Sequence, residues 1–218
     1  MRHCLYKYFT ERKWADTFLD GEILFRSLSY FRDYEDNSVR GDQKEGTSVF
    51  RPEGGLIVTN HTQGTAFTMP GFAFEATAKQ DEIFAFCVSR SLTDELRTKL
   101  KAVACVEILR VQTLCERMRK ALPANATFRA ERVEYYDQSD APNPRWALPD
   151  RIAVSKLENF KWQNEFRFLF CCTDAFGFEK GDYRLVKGDA REAPKPAEHH
   201  NHLLKTQSLC DICRLHQF

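Results

Sequence analysis

The sequence predicts an α+β fold, mainly antiparallel, with strongly bent sheets around a cleft and a few short helices. Three observations predict it: many short runs rich in Phe, Tyr and Val, few and brief helical periodicities, and no regular strand–helix alternation of the kind that builds a parallel sheet. The 218 residues suffice for one domain. A chain of that length buries roughly 70% of its unfolded surface, so its core needs neither disulfides nor metal. Lys plus Arg number 32 against 31 Asp plus Glu, a net charge of +1. That balance argues against an all-over electrostatic binder of nucleic acid and leaves only local patches. Eighteen Phe and seven Tyr are the compositional excess; they imply either a Phe-rich core or aromatic walls around a flat ligand.

Residues 5–9 read as a first strand. Thr10 is the expected cap of a short helix that places Trp14, Phe18 and Leu19 on one face and ends before Gly21. Residues 23–28 read as a second strand. Six of the ten Gly fall between 41 and 71, which predicts hairpins and turns. Residues 83–89 form an apolar strand. Ser91 with Asp94, and Thr113 with Glu116, have capping-box spacing for two further helices, the second ended by Pro123. Strands are expected at 103–111 and 128–136, and an irregular loop around Pro142, Pro144 and Pro149. Residues 165–172 are the clearest strand. A catalytic-like domain is thus expected over 1–186, followed by a polar linker and C-terminal docking element over 187–218, in which Leu203, Leu204, Leu209, Ile212 and Leu215 suit a helix that buries Cys210 and Cys213.

No apolar leader or membrane-length run is present, so a cytoplasmic chain without a membrane partner is expected. The eight Cys then read as reduced, small hydrophobes. There is no phosphate-binding Gly-rich loop, no Gly-x-Ser-x-Gly elbow and no His-Glu-x-x-His helix.

The most informative segment is Phe160-Lys161-Trp162-Gln163-Asn164-Glu165-Phe166-Arg167-Phe168. Strand pleating puts Glu165 and Arg167 on one face and Phe166, Phe168 and Phe170 on the other. The Glu–Arg face is either a solvated ion pair or a carboxylate positioned on a rigid strand. Gln163-x-Glu165 at the head of this strand resembles the Gln/Glu-x-Glu motif of ADP-ribosyltransferases. Leu5-Tyr6-Lys7-Tyr8-Phe9-Thr10 resembles their first strand, and Phe86-Cys87-Val88-Ser89-Arg90-Ser91 their Ser-containing element, in the same chain order. The segments also resemble an uncharacterised bacterial domain family with a late Trp/Tyr-x-x-Glu-x-Arg strand. Gln-x-Glu recurs at 43–45 and 80–82; chain order and strand context select 163–165. The matching first-strand position is Lys7, where the transferases carry Arg or His.

The resemblance implies a toxin, effector or defence enzyme that cleaves the nicotinamide–ribose bond of NAD, its substrate, and passes ADP-ribose to an unknown protein or nucleic-acid acceptor. It implies Glu165 as the carboxylate facing the oxocarbenium-like ribose, Gln163 orienting the acceptor, and Ser89 holding Glu165 or the ribose. Tyr8 and Phe31 are then expected to stack the nicotinamide, with Lys7 and Arg167 toward the cofactor. Two other readings are a non-catalytic binding module on the same scaffold and a metal-dependent nuclease using Asp42, Glu45, Glu82 or Glu165. No metal is favoured, although Cys210-x-x-Cys213 with nearby His has zinc-ligand types. The charged segments at 30–36 and 40–46 read as solvated loops, and the basic stretch of Arg110, Arg117, Arg119, Lys120, Arg129 and Arg132 as a surface neutralised by interleaved Glu.

Overall fold

The computed structural model describes residues 4–33, 42–143, 145–188 and 198–218. In chain order the elements begin β1 (Leu5–Phe9), α1 (Arg12–Leu19), β2 (Glu22–Ser27), α2 (Leu28–Asp33), β3 (Thr47–Phe50), β4 (Leu56–Asn60), β5 (Thr65–Met69) and β6 (Phe72–Thr77). They continue with β7 (Phe84–Ser89), α3 (Asp94–Lys99), β8 (Ala104–Ile108), α4 (Val111–Ala121), β9 (Thr127–Arg132) and β10 (Glu134–Tyr136). The remainder are α5 (Pro149–Ile152), β11 (Ser155–Leu157), β12 (Glu165–Cys171), β13 (Asp182–Lys187), β14 (Asn201–Lys205) and β15 (Cys213–Gln217). The fold is α+β. Its main sheet has eight antiparallel strands, and the short β10–β11 pair is parallel.

The main sheet branches at β7. One edge of β7 pairs with β12 along its whole length, Glu165 opposite Ser89 through Phe170 opposite Phe84. The other edge is shared: Ser27 and Arg26 of β2 take its beginning, and Tyr6 of β1 takes its end. From there β1 leads to β8 and β15, and β2 leads to β14. Helix α1 joins the two diverging strands and places the Phe18 ring 5.5 Å from Phe86, beside the branch.

The Phe excess is core. Phe168 and Phe170 are fully buried. Phe170 lies 5.0 Å from both Phe25 and Phe84, and Phe168 packs beside Phe86 and Phe128. This cluster lies between one face of the sheet and α1 and α4. The opposite face holds a second cluster, including Leu28, Ala85, Ile152 and Leu169. A third, around Tyr8, Leu96 and Cys105, lies under α3.

Several local expectations change. Helix α1 begins after Glu11, with no side-chain cap. Helix α3 is capped by Thr93, whose hydroxyl accepts from the Leu96 amide, because the Ser91 hydroxyl is taken by the Asn164 amide. Thr113 lies inside α4, since the chain already turns helical at Val111. The C-terminal segment is not a docking helix. Leu203 and Leu204 enter β14 and Leu215 enters β15, which pair with β2 and β8 and so extend both branches of the main sheet, while Leu209 and Ile212 are buried in the connection between them. Cys210 is exposed rather than buried. Most of the polar linker, residues 189–197, lies outside the described residues, as do 34–41 of the charged loop.

Phe168→Ala removes a fully buried ring from the largest cluster and leaves a cavity. It is expected to cost about 3–5 kcal/mol, read as a lowered urea midpoint with an unchanged slope.

Candidate functional site

The site is built on the face of β12 away from the phenylalanines. A 3-10 turn over residues 158–163 ends at Asn164, whose φ of 42° is left-handed. Asn tolerates that conformation better than most residues. It reverses the chain into β12, and Glu165 follows at once. The Glu165 amide donates to the Tyr135 hydroxyl at 2.8 Å. The Ser89 hydroxyl donates to the Gln163 carbonyl at 2.9 Å and accepts from the Ser91 amide.

Glu165 and Arg167 do not face solvent. Glu165 is 6% exposed and Arg167 1%. The Arg167 Nε donates to Glu165 Oε1 at 2.7 Å, and its two terminal nitrogens grip both oxygens of Glu45 at 2.6 and 2.7 Å. Nη1 also donates to the Ala153 carbonyl. Lys156 of β11 lies 2.8 Å from Glu165 Oε2 and 3.7 Å from Glu45, and donates to Gln163 Oε1 at 2.9 Å. Two carboxylates thus meet two cations inside the protein.

Glu45 reaches this centre through a tight turn. The Glu45 amide donates to the Asp42 carbonyl, and the Asp42 side chain accepts from the Lys44 amide. Gly46 closes the turn at φ +70°, and a Cβ there would come within 2.7 Å of the Gln80 side chain. Gln80 in turn donates to the Glu45 carbonyl. Asp42 and Glu45 are therefore buried, contrary to the expected solvated loop, because the turn plugs the Arg167 face of the sheet.

The ionisation states follow from these contacts. Burial alone would push the Glu165 carboxyl up, but Arg167 and then Lys156 outweigh it and hold it well below the usual carboxylate range. Burial would lower Lys156, and the charges of Glu165 and Glu45 reverse this, so the ammonium is held above its ordinary value. Asp42 is different. Burial and the neighbouring Glu45 charge push it up to about 6. The Cys87 thiol, also hydrogen-bonded to Glu165, is pushed up by burial and by that carboxylate, which makes it a poor nucleophile.

The three segments singled out in the sequence meet at one end of the sheet. Tyr6, Ser89 and Glu165 stand opposite one another on adjacent strands, and so share one face. Lys7 therefore lies on the other face. Its Nζ donates to the Cys87 carbonyl at 2.8 Å and sits 4.5 Å over the Phe86 ring. The assignment of Lys7 beside Glu165 is corrected: strand alternation sends it into the Phe face. Arg167 is corrected as a cofactor contact, since its side chain is wholly engaged by Glu165, Glu45 and Ala153. Tyr8 is corrected as a stacking residue. Its hydroxyl ties Ser91 to Thr93 at 3.0 Å on each side. Its ring packs under α3, whereas Phe31 lies in a different cluster, so the two form no common aromatic wall. Gln163 gives its side-chain oxygen to Lys156, and Ser89 fastens the turn before β12; both position Glu165.

Asp42 and Glu45 were visible in the sequence only as part of a charged loop, and Lys156 carried no motif at all. A nuclease centre would need Asp42, Glu45 and Glu165 to present oxygens to a metal, but Arg167 and Lys156 hold the last two; Glu82 lies in a separate turn. Among the described residues, no three His, Cys, Asp or Glu gather in a way that suits a metal ion, Cys210 and Cys213 included. No helix among them is long and apolar enough to cross a membrane. No known protein family, curated protein or solved structure matches the chain.

Asp42 gives the site a pH signature. Its folded value of about 6 exceeds the ordinary 3.8, so the folded chain keeps this proton after the unfolded chain has lost it. The associated stability is complete below about pH 4 and is lost as pH rises through 6. Asp42→Asn removes that loss and can still accept from the Lys44 amide. The variant is expected to match the wild type near pH 4 and to exceed it at pH 8 by up to roughly 3 kcal/mol. Urea unfolding across that range measures it; a difference independent of pH would contradict the assignment.

Proposed function

We propose that this chain is a non-catalytic ligand-binding domain, built on the strand arrangement that the transferase resemblance implies, and not an NAD-consuming enzyme. One observation carries the reading: both oxygens of Glu165 are already bonded to buried cations, at 2.7 Å to Arg167 and 2.8 Å to Lys156. A carboxylate stabilises an oxocarbenium-like ribose through charge that is not otherwise committed. Here that charge is compensated before any ligand arrives. The absence of Lys7 from this face, and the commitment of Arg167, remove the cations expected to meet a pyrophosphate.

A second reading, the NAD-dependent ADP-ribosyltransferase, is favoured by the Tyr6–Ser89–Glu165 row. It is favoured also by the odd acid of the cluster: above pH 6, Asp42, Glu45 and Glu165 outnumber Arg167 and Lys156 by one charge, an excess that would attract a cationic sugar.

Labelled NAD separates the two. The wild type and Glu165→Gln, both checked for fold by circular dichroism, are incubated with NAD, with and without bulk protein and nucleic acid as acceptors. Neither is expected to release nicotinamide above the buffer rate or to label an acceptor. Release by the wild type that disappears in a folded Glu165→Gln would establish the enzyme and end the binding-module reading.

A further inference from the structure

We infer a second site on the opposite side of the same sheet end: a cleft that takes a nucleoside monophosphate. It supplies a ligand class for the binding-module reading and rests on that reading only there. The cleft measures about 380 Å³ and is lined by Leu5, Tyr6, Arg90, Val111, Arg132 and Phe166, with Cys4 at its edge. Its volume falls within the range of small-molecule sites.

The strand register explains how it forms. Phe166 stands opposite Arg132 on β9 and opposite Val88 on β7. Arg90 follows Ser89 directly, so it leaves the strand on the Phe face. The two arginines therefore rise on either side of Phe166, with buried Leu5 beside them. The site combines an apolar, ring-bearing floor with two guanidinium groups.

The charges of these arginines are uncommitted. Arg117, Arg151 and Arg167 are each held by a carboxylate. Arg132 makes no ion pair or hydrogen bond within the described residues, and the polar contact of Arg90 is to the neutral Asn164 amide oxygen at 3.4 Å. None of the described residues that line the cleft is an acid. Helix α4 begins at its wall with Val111, has no side-chain cap and carries no acid in its first turn, so its terminal dipole adds to the positive field. Paired guanidinium groups recognise phosphate oxygens by charge and by planar geometry. The ring surface of Phe166 suits a flat base; Tyr6, whose side chain is on the Glu165 face, lines the cleft only from the strand edge.

The test is calorimetric titration of the full chain with each of the four nucleoside 5′-monophosphates, the matching nucleosides and inorganic phosphate. At least one monophosphate is expected to bind more tightly than its nucleoside and than phosphate alone. The double variant Arg90→Gln/Arg132→Gln is expected to weaken it by at least about tenfold. Arg119→Gln, in a separate cleft beside Pro123 and Phe128, is expected to leave it unchanged. No binding of any monophosphate up to about 1 mM, equal binding by phosphate alone, or an undiminished affinity in the folded double variant would overturn the inference. NAD turnover through Glu165 would instead overturn the binding-module reading and leave this titration to be judged by its own arginine variants.

Discussion

The grip of Arg167 on Glu45 and Glu165 is the interaction on which the rest of the structure depends. It joins a strand near the end of the chain to a turn 122 residues earlier. If the guanidinium were removed, two buried carboxylates would share Lys156 alone, and an uncompensated buried charge costs several kcal/mol. Such a centre contributes little net stability compared with an apolar core of the same volume. Its effect is on register. A one-residue slip of β12 would drive Arg167 into the phenylalanines and turn Phe166 and Phe168 toward Glu45, so the alternative pairing is strongly disfavoured. Lys156 extends the same constraint to β11, and through it to Tyr135 on β10, whose hydroxyl holds the Glu165 amide.

The two faces of β12 therefore do different work at one end of the sheet. On one side, ionic groups close over Glu165 and leave it no uncommitted oxygen. On the other, the Phe face runs out at Phe166, where Arg90 and Arg132 stand without carboxylate partners. The branch at β7 makes this possible, because β1 meets only the last residue of β7 and so brings Leu5 and Tyr6 to that end. A polar residue on a rigid strand is well placed for chemistry, but its availability is decided by what packs against it. For Glu165 that is a buried cation on each oxygen.

The alternation in residues 165–172 was enough to predict β12 and its two faces, and the clustering of Gly between 41 and 71 was enough to predict turns there, of which one closes the β4–β5 hairpin. These are local signals. The face of Lys7 was not legible, because it depends on Tyr6 pairing with Ser89 across more than eighty residues. The partners of Lys156 are similarly remote, and nothing in Val154-Ser155-Lys156-Leu157 announces a buried cation. The leucines between 203 and 215 fit helical spacing almost as well as two short strands; the strand conformation of Leu203, Leu204 and Leu215 is decided by the unpaired edges of β2 and β8. Arg90 and Arg132 were each visible as basic residues, but only the register places them on either side of Phe166.

A double-mutant cycle on Glu45→Gln and Arg167→Gln, followed by urea unfolding, tests most directly whether this ionic centre holds the turn to the sheet. Each single variant should be strongly destabilised, and the double variant should be no worse than the poorer single, giving a coupling of about 2–3 kcal/mol. Strictly additive losses would contradict the account, because the two side chains would then contribute to stability independently of their contact.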